Sequence, residues 1–169
     1  MPADCFEVSQ ERVKLSGEKF VPHVIEPSFG IDRITYALLE QNLKEEEGYT
    51  RLTVPPTVAP IKVGVFPLMA RDGLDKKSRE IHRLLVASGI NSYHDTGGSI
   101  GKRYARMDEI GTPYCITVDY ESLEGKGVTI RDRDSAEQVR VPEEGIAEVL
   151  KGLVEGNMRM GEVIFKREL

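Results

Sequence analysis

Tyr114-Cys115-Ile116-Thr117-Val118 is a continuous apolar run of strand length, without the in-and-out alternation of a sheet that faces water on one side. Such a run fits a strand in the middle of a sheet covered on both faces. Upstream, Ile61 to Phe66 and Ile90 to His94 read as two further strands. Between them, Leu74, Ile81, Leu84 and Leu85 stripe one side of a helix that Gly89 terminates. Ser99 stands at a cap position ahead of a helix whose inward face carries Ile100, Tyr104 and Met107. Downstream, Val128-Thr129-Ile130-Arg131 and Gln138-Val139-Arg140-Val141 alternate in polarity around Asp134-Ser135-Ala136, which predicts an antiparallel pair near one edge. Pro142 then starts a last helix through Ile146, Val149, Leu150 and Leu153. Strands alternating with helices predict an α/β domain with a largely parallel sheet.

Before residue 61 the pattern changes. Val21 to Phe29 reads as an extended, proline-punctuated strand, and Gly30 opens a helix with Ile31, Ile34 and Leu38 at i, i+3 and i+7, ending near Glu45-Glu46-Glu47-Gly48. Thr53 to Pro60 holds three prolines and breaks regular structure. The expected organisation is therefore an appendage at 1–52, a Pro-rich linker at 53–60, a main domain at 61–156 and a tail at 157–169. The tail segment Met158-Arg159-Met160 reads as packing.

The chain has 169 residues, 40% of them hydrophobic and 30% charged, the balance of a soluble domain rather than a disordered or membrane one. Met1-Pro2-Ala3-Asp4-Cys5 has no basic flank or apolar stretch of a secretory signal, so a cytoplasmic location is expected. Cys5 and Cys115 are too few for a disulfide framework, and Cys115 reads as a buried thiol. His23, His82 and His94 lack metal-ligand spacing, so no metal site is expected. A net charge of −5 excludes coating of nucleic acid through bulk electrostatics; any such contact must be local.

Two segments carry candidate chemistry. In Glu26-Pro27-Ser28-Phe29-Gly30-Ile31-Asp32-Arg33, Glu26 and Ser28 are two apart and share a strand face, while Arg33 on the helix can reach a phosphate. A solvated strand face is the plain alternative. The second segment runs from Asp95 to Gly111. It is not a phosphate loop, which needs four residues between its glycines and Ser or Thr after the lysine; Gly97 and Gly101 enclose three, and Arg103 follows Lys102. On a helical wheel Lys102 and Arg106 lie opposite the core side with Arg103 on the flank, a basic stripe suited to a nucleic-acid backbone or simply to solvent.

The run from Val24 to Ile34 resembles motif 3 of class II aminoacyl-tRNA synthetases, and Glu26-Pro27-Ser28-Phe29-Gly30 is similar to the glycyl enzymes in particular. Asp32 departs from the glutamate common there. Residues 95–111, with Thr129-Ile130-Arg131-Asp132-Arg133-Asp134-Ser135, resemble the anticodon-binding domain that follows motif 3 in the glycyl, threonyl, prolyl and histidyl group, closest to archaeal and eukaryotic glycyl-tRNA synthetases. The resemblance runs from about residue 21 to about residue 155. It implies a three-layer anticodon-binding domain with a five-stranded mixed, mostly parallel sheet, one strand antiparallel, behind a strand-helix remnant of the catalytic domain.

By the same resemblance, Glu26 would receive the glycine ammonium, Ser28 would line that pocket, and Arg33 would contact ATP phosphates. The intact enzyme would be a homodimer that uses ATP and Mg to join glycine to its tRNA. Motifs 1 and 2 are absent from this stretch, so by itself it is expected neither to aminoacylate nor to hold a cofactor. Its expected task is reading the anticodon stem-loop of glycine tRNA. Asp108, Glu109, Asp132 and Asp134 would accept hydrogen bonds from anticodon cytosines, and Lys102, Arg103, Arg106, Arg131 and Arg133 would hold the backbone. The competing readings are a non-enzymatic accessory or regulatory module with the same domain, and a flavodoxin-like ligand-binding domain.

Overall fold

The computed structural model describes residues 10–12, 17, 20–46 and 48–165. It divides into two compact units, Met1–Gly30 and Ile31–Leu169. In the first unit residues 20–30 are exposed and carry neither helix nor strand, so the expected strand at 21–29 does not form. A strand is held by its ladder, and this segment pairs with no described strand. Cys5 lies outside the described residues.

The second unit opens with α1 (Ile31–Asn42), as the periodicity predicts, but α1 stops before the acidic run. Asn42 closes it: its side-chain amide donates back to the Leu38 carbonyl oxygen at 2.8 Å, and its own carbonyl accepts from the Thr53 backbone N–H at 2.8 Å and the Thr53 hydroxyl at 3.0 Å. Leu43–Glu46 (β1) and Tyr49–Leu52 (β2) then form an antiparallel hairpin that passes through Gly48 at φ +81°. The polar sequence of β1 hid this hairpin from the pattern reading.

The sheet is built from β3 (Val63–Pro67), β4 (Ser92–His94), β5 (Tyr114–Val118), β6 (Val128–Asp132) and β7 (Gln138–Val141), in the order β4-β3-β5-β6-β7. β3 pairs in parallel with β4 and β5, whereas β6 is antiparallel to both β5 and β7, so only β6 runs against the rest. The fold is the mixed α/β sheet that the sequence implies. β3 and β5 are buried along their whole length, which is why their sequences show no alternation.

One face of the sheet carries the main core. Val63, Val65, Ile116, Val118, Ile130 and Val141 meet Leu74, Ile81 and Leu85 of α2 (Leu74–Ala87), Ile146, Leu150 and Leu153 of α5 (Ile146–Glu155), and Met160 and Val163 of α6 (Met160–Phe165). The tail segment therefore packs as expected, with Met160 inside the core and Met158 against it. On the other face, Met107 of α3 (Ile100–Glu109) packs on Phe66 and Cys115 with Ile100 and Tyr104 beside it. Gly64 allows this approach, because a Cβ there would stand 2.7 Å from the Phe66 ring and 3.0 Å from Met107.

Three local expectations change. Ser99 holds the N-cap position of α3 but its side chain makes no capping bond. The last long helix starts at Ile146 after Gly145, not at Pro142, because Gly145 adopts φ +80° and turns the chain into it. A short helix unread in the sequence, α4 (Tyr120–Leu123), is opened by a capping box between Asp119 and Ser122. The Pro-rich segment is held by Lys62, whose ammonium donates to the carbonyl oxygens of Pro56, Thr57 and Ala59 at 2.7 to 2.9 Å.

Candidate nucleic-acid interface

The two faces of the sheet are covered unequally. Among the described residues the apolar cover of the second face comes from α3 over β3 and β5. Beyond it the cross-strand registers place Thr117, Thr129 and Arg140 in one row and Cys115, Arg131 and Gln138 in the next. Thr129, Arg131 and Arg140 are half-buried and Gln138 is exposed, so β6 and β7 present a polar, accessible surface beside α3.

At the border of this surface lies a connected network. Asp108, 0% exposed at the end of α3, accepts from both terminal nitrogens of Arg131 at 3.2 Å and from the Tyr49 hydroxyl at 2.5 Å. The Arg131 guanidinium also lies 4.9 Å from the Tyr104 ring centroid, a cation–π contact. Tyr104 in turn shares a hydrogen bond of 2.5 Å with the Thr117 hydroxyl. Burial, the largest single effect, would lower the Arg131 pKa, but the hydrogen bond to Asp108 and the Asp108 charge, with smaller contributions from other neighbours, together hold it above the ordinary value. Burial, then the bond to Asp108, pushes the Tyr49 hydroxyl up to about 12.

The expected basic stripe on α3 is only partly present. Lys102 is exposed. Arg106 has its side chain 45% exposed but is paired: it donates to the Asp95 carboxylate and to the Gly97 carbonyl oxygen. Arg103 is a correction, being 3% exposed. Its guanidinium donates to the carbonyl oxygens of Pro67 and Gly98, fastening the loop before α3 to the end of β3. On the wheel it sits about 40° from Met107, close enough to the core side for its neighbours to enclose it.

The β6–β7 turn is likewise structural in part. Arg133, 2% exposed, donates to the carbonyl oxygens of Gly111 and Val54 and forms a forked pair with Asp134 at 2.8 Å. It cannot also hold an RNA backbone. Asp108 is equally unavailable to a cytosine, because it is enclosed and its acceptors are occupied. One Asp132 oxygen accepts from the Ser135 N–H and hydroxyl, shaping the turn. Glu109 and Asp134 are exposed. Glu109 lies on the rim of an open cleft of about 430 Å³ with Ile61, Tyr93, Arg106, Met107 and Ile110.

Sequence reasoning gave no contact role to Tyr49, Tyr104, Thr117, Thr129 or Arg140, although Tyr104 and Thr129 fall in the two segments it singled out. The signal was there for the last two: in an alternating strand the polar positions share a face, and pairing β6 with β7 lines up Thr129 with Arg140. Arg140 is anchored to the Asp119 carboxylate and lies 3.0 Å from Glu121. Donors from Arg140 and Ser122 overcome the opposing effect of burial and hold the Asp119 carboxyl below its usual range. Asp95 behaves likewise: burial raises its carboxyl, but the Gly97 N–H and Arg106 bring it below the ordinary value.

Elsewhere, Glu26 and Ser28 are exposed in the first unit, and Arg33 is exposed on α1 of the second. Cys115 is buried, and burial pushes its thiol up to about 12, as an inert core residue requires. His82 and His94, distant in sequence, stand with ring centroids 6.0 Å apart, hydrogen-bonded to Ser92 and Ser78 respectively. Among the described residues no group of three or more His, Cys, Asp or Glu is placed to hold a metal ion, and no helix is long and apolar enough to cross a membrane.

Comparison with known proteins locates this arrangement. Residues 58–153 match the family model of an anticodon binding domain. The chain is 50% identical over 144 residues to a glycine–tRNA ligase of Methanococcus vannielii, covering 85% of this chain and 25% of that protein. It is 48% identical over 148 residues to the glycine–tRNA ligase of Methanocaldococcus jannaschii, with 88% and 26% covered. A third relative, the glycine–tRNA ligase of Pyrococcus horikoshii, is 50% identical over 152 residues, with 89% and 27% covered. The chain thus spans about a quarter of the length of these curated relatives.

Proposed function

Because this chain belongs to the anticodon binding domain family, we propose that it reads the anticodon stem-loop of a tRNA, and that this tRNA is the one for glycine. The observation that carries the reading is the polar half of the sheet beside α3, where Gln138 is exposed and Thr129, Arg131 and Arg140 are partly exposed. Unpaired bases are read by hydrogen bonds to their edges and by stacking, and this surface offers the Thr129 hydroxyl, the Gln138 amide and two anchored guanidinium groups. Lys102 and Arg106 on the outer side of α3 supply positive charge for the phosphates. Glu109, Asp132 and Asp134 are the acidic acceptors proposed for cytosine amino groups. With a net charge of −5, the chain binds through this patch and not through its overall field.

The glycine–tRNA ligase relatives support a wider reading. Residues 1–52 are proposed as part of a catalytic domain, 53–60 as a linker, 61–156 as the anticodon domain and 157–169 as its tail. Exposed Ile31, Ile34, Tyr36 and Leu39 leave α1 apolar around much of its circumference, as suits a helix buried by further protein, which favours that assignment. Within a complete ligase, Glu26 and Ser28 would hold glycine and Arg33 the ATP phosphates. The proposed reaction is the joining of glycine to tRNA with ATP and Mg, in a cytoplasmic homodimer.

The test measures binding of this chain to glycine-tRNA anticodon stem-loops, with native and swapped anticodon bases, over a salt series. Tighter binding of the native loop is expected at every salt concentration. Equal affinity for both throughout would overturn the anticodon reading.

A further inference from the structure

We infer that Tyr49 is a positioning residue for the RNA-reading face, acting through Asp108 on the Arg131 guanidinium. The inference rests on the anticodon reading. Tyr49 belongs to the β1–β2 hairpin and lies outside residues 58–153 that match the anticodon binding domain. Its hydroxyl nevertheless crosses 59 residues of sequence to donate to Asp108 at 2.5 Å. That carboxylate is fully enclosed, and its orientation sets the plane of Arg131, which it receives through two nitrogens.

A planar guanidinium held by a bidentate pair and by the Tyr104 ring has its direction fixed on two sides. The pair is fixed in turn only as far as the carboxylate is, and the tyrosine bond is the shortest of the three at Asp108. Without it, one carboxylate oxygen keeps only a contact of 3.2 Å to Arg131. The hairpin has a second tether on the same side: Arg51, two residues on in β2, donates to the Asp134 carbonyl oxygen at 3.4 Å in the β6–β7 turn. The hairpin therefore acts as a side wall that aims Arg131, and it is joined to α1 through the bonds between Asn42 and Thr53.

The experiment is a double-mutant cycle in the full 169-residue chain, with Y49F, R131A and the double variant assayed on native and swapped stem-loops. Y49F removes one oxygen. It should weaken native-loop binding about 2- to 10-fold, the range of one hydrogen bond, and cost nothing further in the R131A background. D108N, which keeps the side-chain volume, supplies a second cycle with the same expectation. Urea denaturation of each variant separates affinity from stability. Additive losses, or a lowered urea midpoint with unchanged affinity, would overturn the positioning role. Equal binding of native and swapped loops by the unaltered chain would instead overturn the anticodon reading beneath it.

Discussion

Arg133 and Val54, 79 residues apart in sequence, are joined inside the protein by a bond of 3.1 Å from the guanidinium to the carbonyl oxygen. The same side chain reaches the Gly111 carbonyl oxygen at 2.9 Å, so one arginine fastens the start of the Pro-rich segment, the end of α3 and β6 together. A cation that the sequence offers as an RNA contact is a structural staple.

Arg133→Met keeps the stem of the side chain but leaves two buried carbonyls without donors. At about 1–3 kcal/mol for each unsatisfied group, a loss of about 2–6 kcal/mol is expected, read as a lower urea midpoint. An unchanged midpoint would show that the two carbonyls are served by other donors.

Acid should weaken the fold in two stages. Burial, with Arg83 near His82 and Arg79 near His94, lowers both imidazole pKa values below the ordinary 6.5. The unfolded chain therefore takes up protons first, and stability falls as pH drops from about 6.5 toward the lower folded values. Asp95 and Asp119 have folded values below the ordinary one, so their contribution is present above about pH 4 and is lost as pH falls further. The double variant H82Q/H94Q should flatten the first stage and leave the second, measured by urea unfolding at a series of pH values.

Lys102 should act on RNA alone. It is exposed, so Lys102→Ala is expected to leave thermal stability unchanged while reducing the salt dependence of stem-loop binding by about one phosphate contact, a slope change of about 0.7. Arg106→Ala should do the same and also cost about 0–1 kcal/mol, because it breaks a partly exposed pair with Asp95. A salt slope unchanged in both would place the backbone contacts away from α3.

Gly64→Ala tests how closely α3 sits on the sheet. The new methyl would stand 2.7 Å from the enclosed Phe66 ring and 3.0 Å from Met107, so overpacking of about 1–3 kcal/mol is expected. Calorimetry would register it as a lowered Tm.

The legible part of the fold is the part written in local periods. β5 was readable because a strand covered on both faces has no reason to alternate, and α2 because one apolar stripe must face the sheet. β6 and β7 paired as their alternation and turn required. The β1–β2 hairpin was not legible: Leu43-Lys44-Glu45-Glu46 is polar and exposed, and its strand character comes from pairing with Tyr49–Leu52. Local propensity is weak there and the partner decides.

By itself the sequence determined the order of the sheet strands and of the long helices from β3 onward, the layered α/β class and, through its motifs, the family. Each of these depends on residues near one another in the chain. The roles of the charged side chains were decided only by tertiary structure. Arg103 and Asp108 sit on the flanks of α3, where a helical wheel cannot say whether a neighbour covers them; Pro67 and Gly98 enclose the first, and Tyr49 and Arg131 the second. Burying a charge is costly unless a partner meets it, and those partners come from remote elements. Residues that the sequence offers as hands for RNA therefore divide into those that face the solvent and those that hold the surface in shape.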